Sequence, residues 1–110
     1  AAVLTALHGR AGACLDLGHW HCFGKGRERE NLDDWLHALD PFPMHLHLHD
    51  NDGETDLHLG MGLGTIPWET LWAWLEKRKA PVTATFEPHT EEDFLATEAY
   101  LKARPGLPLA

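Results

Sequence analysis

Three short stretches with the alternation of β-strands, residues 12–17, 44–49 and 82–87, recur some 30 to 40 residues apart, and each is followed by helical periodicity. Strands and helices alternating at that interval are joined as parallel strands with crossover connections, so the expected class is α/β. After the first strand, Asn31 is a plausible N-cap with Asp33 and Asp34 in the first turn. Leu32, Trp35, Leu36 and Leu39 then follow at helical spacing until Pro41 and Pro43. A second helix starts near Pro67 and carries Trp68, Leu71, Trp72 and Leu75 on one side, with Lys77, Arg78 and Lys79 at its end. Thr90 caps a third, led by Glu91, Glu92 and Asp93, with Phe94, Leu95, Ala99 and Leu101 as its apolar side and Pro105-Gly106 as its stop. Ahead of these units, Val3, Leu4 and Leu7 read as part of a helix broken at Gly9. Residues 18–26 read as a loop rich in Gly, Trp and His, 26–30 as a charged connection, and 50–64 as a long loop.

Alternation also assigns faces. Ala13, Leu15 and Leu17 oppose Cys14 and Asp16; Met44, Leu46 and Leu48 oppose His45, His47 and His49; Val82, Ala84 and Phe86 oppose Thr83, Thr85 and Glu87. A doubly wound sheet covers both faces, and its strands read as continuous apolar runs. One aliphatic and one polar face suit instead a (β/α)8 barrel, with helices outside and a site at the C-terminal rim. Such a barrel needs roughly 250 residues. The 110 residues are therefore expected to form a single partial-barrel domain, residues 1–110, with three parallel strands each followed by a helix and a partial helix in front.

Asp16, His47 and Glu87 fall at or near the C-terminal ends of the three strands, one per unit. Carboxylate and imidazole together suit a divalent cation such as Mn²⁺, Mg²⁺, Co²⁺ or Zn²⁺. A second group, His19 with the Asp56-Leu57-His58 triplet, could meet at another ion or at a substrate. Trp20, Phe23 and His21 are candidate pocket walls, while His8, His37 and His89 have no assigned role.

Other strings carry less. The run from His45 to Asp50 is superficially like the metallo-β-lactamase signature, but its last two residues are in the wrong order. Asp50-Asn51-Asp52-Gly53 lacks the oxygen spacing and terminal Glu of a calcium loop, and 60–64 is not a dinucleotide fingerprint. The formal charge of −8 argues against a general nucleic-acid binder. No segment has the 18 or so apolar residues of a membrane span. Two cysteines make no disulfide framework, which points to a reducing cytoplasm.

Leu15-Asp16-Leu17-Gly18-His19, His47-Leu48-His49-Asp50-Asn51, Asp56-Leu57-His58-Leu59, Gly62-Leu63-Gly64-Thr65-Ile66 and Phe86-Glu87 follow one another in order. In this the chain resembles the xylose isomerase-like TIM barrels, and most of all their sugar phosphate isomerase and epimerase branch. The resemblance implies the C-terminal portion of the barrel, its last three strands and helices. It implies a divalent metal held by Glu, Asp, His and Glu, the last three matched by Asp16, His47 and Glu87, with the first Glu on an earlier strand outside these residues. It also implies that Glu87 exchanges a proton beside the carbonyl of a small sugar or sugar phosphate, and that His19 touches substrate oxygens. With one glutamate missing, the chain alone is expected to bind metal weakly and to be inactive.

The same superfamily includes apurinic-site endonucleases, in which residues matching His19, Asp56 and His58 hold a further zinc. That reading stays open as the enzymatic alternative, with the negative charge against it. A half-barrel that binds metal or sugar without turnover, or that associates with itself through exposed strand edges, is the non-enzymatic one.

Overall fold

In the computed structural model, which describes residues 2–23, 31–78 and 82–109, the three alternating segments pair into one parallel sheet. The elements are α1 (Ala2–Ala6), β1 (Ala13–Asp16), α2 (Leu17–Cys22), α3 (Leu32–Leu39), β2 (Met44–Leu48), α4 (Trp68–Lys77), β3 (Val82–Phe86) and α5 (Glu91–Lys102). The sheet order is β1-β2-β3, with Asp16 opposite His47, His47 opposite Thr85 and Leu48 opposite Phe86. Each strand is shorter by a residue or two than its alternation suggests. The charged connection at 26–30 and the end of the loop at 24–26 lie outside the described residues, as does Lys79.

The aliphatic face does what its pattern requires. Leu15, Met44, Leu46, Leu48 and Val82 form one core with Leu32 and Leu36 of α3 and Trp68, Leu71, Trp72 and Leu75 of α4. Burying side chains of this kind contributes about 1.5–3 kcal/mol each. Asn31 caps α3 by accepting from the Asp33 amide at 2.9 Å. Arg78 anchors the other end of α4, donating to the carbonyls of Asp40 and Phe42.

Two elements depart from the sequence reading. Leu17–Cys22 is a helix rather than a loop, because the Asp16 carboxylate accepts from the His19 amide and caps a turn that starts directly at the strand end. In α5, Phe94 and Leu95 face outward, 55% and 51% exposed, and Ala99 is also exposed. Asp93 and Thr97 are the buried residues instead. The loop before α4 brings its own amides against this helix: Gly60 donates to Asp93 Oδ1 and Met61 to Thr97 Oγ1. Buried amides need acceptors, so Asp93 and Thr97 take the inward places of Phe94, Leu95 and Ala99, while Leu101 still packs against the core.

Asp93 also closes a capping pair with Thr90, whose hydroxyl donates to Asp93 Oδ2 at 2.6 Å while the Asp93 amide donates back at 3.1 Å. The Thr90 hydroxyl, and then the Gly60 amide, hold the Asp93 carboxyl below its ordinary value. A lowered folded value means that the stabilisation is complete above the unfolded Asp value of about 3.9 and is lost as the pH falls through the folded one. Urea midpoints at pH 7 and pH 3 are expected to differ less in Asp93→Asn than in the parent chain. An equal pH dependence in both would contradict this.

Candidate metal centre

Parallel strands deliver their C-terminal ends to one edge of the sheet. Asp16 ends β1, His47 is its neighbour in β2, and Glu87 follows β3 with its amide on the Leu48 carbonyl at 3.0 Å. The three side chains meet there. His47 Nδ1 lies 3.4 Å from Glu87 Oε1 and 3.7 Å from Asp16 Oδ2, and all three remain partly open to solvent. Asp16 Oδ1 is already taken by the His19 amide and by His49 Nε2, both at 2.8 Å, while Oδ2 faces His19 Nδ1 at 3.3 Å as well as His47.

Burial pushes the Asp16 carboxyl up, but the hydrogen bonds from His49 and from the His19 amide outweigh it, together with the charge those imidazoles can carry. The net direction is down. The carboxylate form needed for a cation ligand is therefore favoured. Cys14 moves the other way, raised by desolvation and then by the charges of Asp16 and Glu87; Cys22 is raised by desolvation and then by Asp56. Neither thiol is primed as a nucleophile.

The second group assembles beside the first. Asp56 Oδ2 sits 3.2 Å from His19 Nε2, and Asp56 Oδ1 sits 3.2 Å from His58 Nε2. His58 has a left-handed backbone, φ 51°, and its Nδ1–H donates to the Glu87 carbonyl at 2.9 Å, so the two groups share a wall. Its ring stacks on His89, centroids 3.8 Å apart, which gives an unassigned histidine a place at the rim.

His49 is the residue that alternation under-read. The strand stops at Leu48, and the next side chain turns into the protein with none of its surface exposed. It touches both groups: Asp16, His49 and Glu87 present ligand atoms to one another, and so do His19, His49, Asp56 and His58. A β-carbon at Gly18 would lie 1.9 Å from His49 Cε1, so only glycine leaves room for this ring. The Gly18–His49 pairing could have been sought in the Asp-Leu-Gly-His string, but spacing alone gives no sign of it.

The loop carrying Asp56 and His58 is held by Asp50. This fully buried carboxylate accepts from the amides of Asn51, Gly62 and Ile66 and from Trp68 Nε1, at 2.8 to 3.1 Å. Its backbone bridges antiparallel to Leu59. A β-carbon at Gly64 would lie 2.4 Å from Asp50 Oδ1, which accounts for one glycine of the Gly-rich turn.

Other candidate residues lie elsewhere. Trp20 is 5% exposed within the hydrophobic core, and His21 is 4% exposed with its Nε2 on Thr65 Oγ1 at 2.8 Å. Phe23 is 66% exposed and leans on the His19 ring at 5.4 Å. His45 shares the polar face but spends both ring nitrogens on the hydroxyls of Thr83 and Thr85.

Comparison with known proteins agrees with this architecture. No curated protein matches the chain. Among solved structures, a D-tagatose 3-epimerase-like protein superposes with a TM-score of 0.64 at 23% identity, covering 84% of this chain. The chain spans 33% of that protein's length. At that identity the likeness speaks for the fold: three consecutive strand–helix units of a barrel. A family model described as xylose isomerase-like TIM barrel matches residues 1–105. The chain belongs to the xylose isomerase-like TIM barrel family.

Proposed function

We propose that these residues form part of a metal-dependent isomerase or epimerase acting on a small sugar or sugar phosphate by proton transfer beside a carbonyl. The observation that carries this reading is the meeting of Asp16, His47 and Glu87 at the ends of three adjacent parallel strands, 3.4 and 3.7 Å apart through His47 Nδ1. One nitrogen and two carboxylates make a donor set suited to Mn²⁺, Mg²⁺, Co²⁺ or Zn²⁺. In the neighbouring group, His49 Nδ1 and Asp56 Oδ1 are buried without a hydrogen-bond partner. When bound, a divalent cation supplies Lewis acidity that polarises a carbonyl and offsets charge on its oxygen.

The chain's own groups then have separate tasks. Glu87 takes and returns the proton at its second carboxylate oxygen, Oε2. Asp16 stays ionised, its Oδ1 fixed by two donors so that Oδ2 keeps its direction. His19, with its side chain 48% exposed, is placed to contact substrate oxygens. Trp20 and His21 are buried on the same helix as His19, Trp20 in the core and His21 against Thr65.

The test is solvent exchange. These residues within a complete barrel that supplies the earlier Glu are incubated with a panel of ketoses and ketose phosphates in D₂O, and NMR follows deuterium entering the carbon beside the carbonyl. Metal-dependent incorporation abolished by a chelator is the expected result. None with any ketose, at metal saturation, would rule the reading out. The meeting of His19, Asp56 and His58 favours a second reading, an apurinic-site endonuclease-like zinc phosphodiesterase. Cleavage of an apurinic-site oligonucleotide without ketose exchange would select it, and metal binding with neither activity would leave a non-catalytic partial barrel. No helix among the described residues is long and apolar enough to cross a membrane. A cytoplasmic location and self-association of the partial barrel complete the proposal; mass in solution tests the latter.

A further inference from the structure

We infer that Asn51 is a positioning residue for the proposed reaction: its side-chain amide clasps the first turn of α2 to the loop of residues 50–66, and so sets where His19 stands against the substrate. The inference rests on the proposed function and extends it to a residue outside both clusters.

The short helix needs such a grip. α2 is six residues long, too short to hold a direction by itself in water. Asp16 caps its start from β1, and Trp20 lies in the core. Further ties come from the next strand–helix unit. Asn51 Nδ2 donates to the Gly18 carbonyl at 2.9 Å, and His21 Nε2 lies 2.8 Å from Thr65 Oγ1. His19 sits between those two tied residues, with its side chain 48% exposed and its Nε2 3.2 Å from Asp56 Oδ2.

Asn51 is fully buried, with backbone and side chain both engaged. Its N–H donates to Asp50 Oδ1 at 2.9 Å, and its Oδ1 accepts from the Gly53 amide at 2.9 Å. A carboxamide offers an acceptor to Gly53 and a donor to the Gly18 carbonyl at once; an aspartate there would set oxygen against oxygen at Gly18. Gly53 opens the stretch that leads to Asp56. One side chain therefore joins the helix carrying His19 to the loop carrying Asp56. Thr65 closes the ring, its amide and hydroxyl donating to the Asn51 carbonyl at 2.8 and 3.3 Å, and this is the hydroxyl that meets His21. Glu87 belongs to the end of β3 instead, so a shift of α2 moves a binding contact more than it moves the group that carries the proton.

Deuterium exchange into a ketose, measured on a complete barrel that contains these residues, tests this. In Asn51→Ala, KM is expected to rise about tenfold with kcat nearly unchanged, the signature of a lost binding contact. Thr65→Val is expected to raise KM in the same direction, and Thr65→Ser, which keeps the hydroxyl, to retain the parent's value. Because Asn51 acts through His19, adding Asn51→Ala to His19→Ala is expected to raise KM no further. An Asn51→Ala protein that melts lower yet keeps the parent's KM would show a structural role alone, overturning the inference while leaving the proposed function standing. So would an effect on KM that persists in full without His19. Should Asn51→Ala fail to fold, Thr65→Val decides: a raised KM restored by Thr65→Ser supports the inference, and an unchanged KM overturns it. A parent barrel with no exchange on any ketose would remove both.

Discussion

Asp50→Asn is expected to lower the stability of the chain by about 2–6 kcal/mol, the largest effect of any near-isosteric change in the protein. Each carboxylate oxygen of Asp50 accepts two donors, the amides of Asn51 and Ile66 on one and the Gly62 amide with Trp68 Nε1 on the other. An amide side chain turns one of those oxygens into an NH₂ group. Whichever way it flips, two buried donors face another donor, at about 1–3 kcal/mol each. For a domain of this size that corresponds to a fall in melting temperature of roughly 10–30 °C. The same change should loosen the loop carrying Asp56 and His58, so metal affinity falls along with stability. Urea denaturation at pH 7 measures it, with an unchanged slope showing that the shift is one of stability. A loss below about 0.5 kcal/mol would mean that water or a shifted backbone replaces the acceptors.

On the proposed reading, Glu87→Gln in a complete barrel is the variant expected to affect turnover most, slowing deuterium exchange about 10²- to 10⁴-fold. The amide keeps the shape of the side chain and can still offer one oxygen as a ligand, but it takes no proton at neutral pH. The backbone at this position is held independently of the carboxylate, by the Leu48 carbonyl on its N–H and by His58 on its own carbonyl. Stability should therefore change little, and bound metal should persist at saturating concentration. An exchange rate within tenfold of the parent, with metal bound, would remove Glu87 from the role of base.

Why some of this could be read from residues alone, and some not, follows from where periodicity applies. Inside a strand the side chains alternate by necessity, so Asp16 and His47 were legible on the polar face, and Glu87 just beyond β3 with them. One residue past β2 the rule lapses. His49 looks like a third member of the His45–His47 series and is instead turned inward against Gly18. Asp50 sits in a run of Asp, Asn and Gly, where nothing separates a buried anchor from a solvated turn. The stripe on α5 misled for a related reason: the loop at Gly60 and Met61 presents amides to that helix, and their need for acceptors decides which side faces in. Hydrophobic pattern reports what a helix could bury, and the neighbouring backbone decides what it must.

The seat at Gly18 has a consequence for how this segment can change over time. Its missing side chain and the His49 imidazole occupy the same volume, so the two positions form one steric unit even though they lie in different strand–helix units. A methyl group at 18 is admissible only if the residue at 49 shrinks, and a smaller residue there gives up the nitrogen between the two carboxylate clusters. The glycine supplies no donor atom itself, yet it limits which side chain can stand at 49.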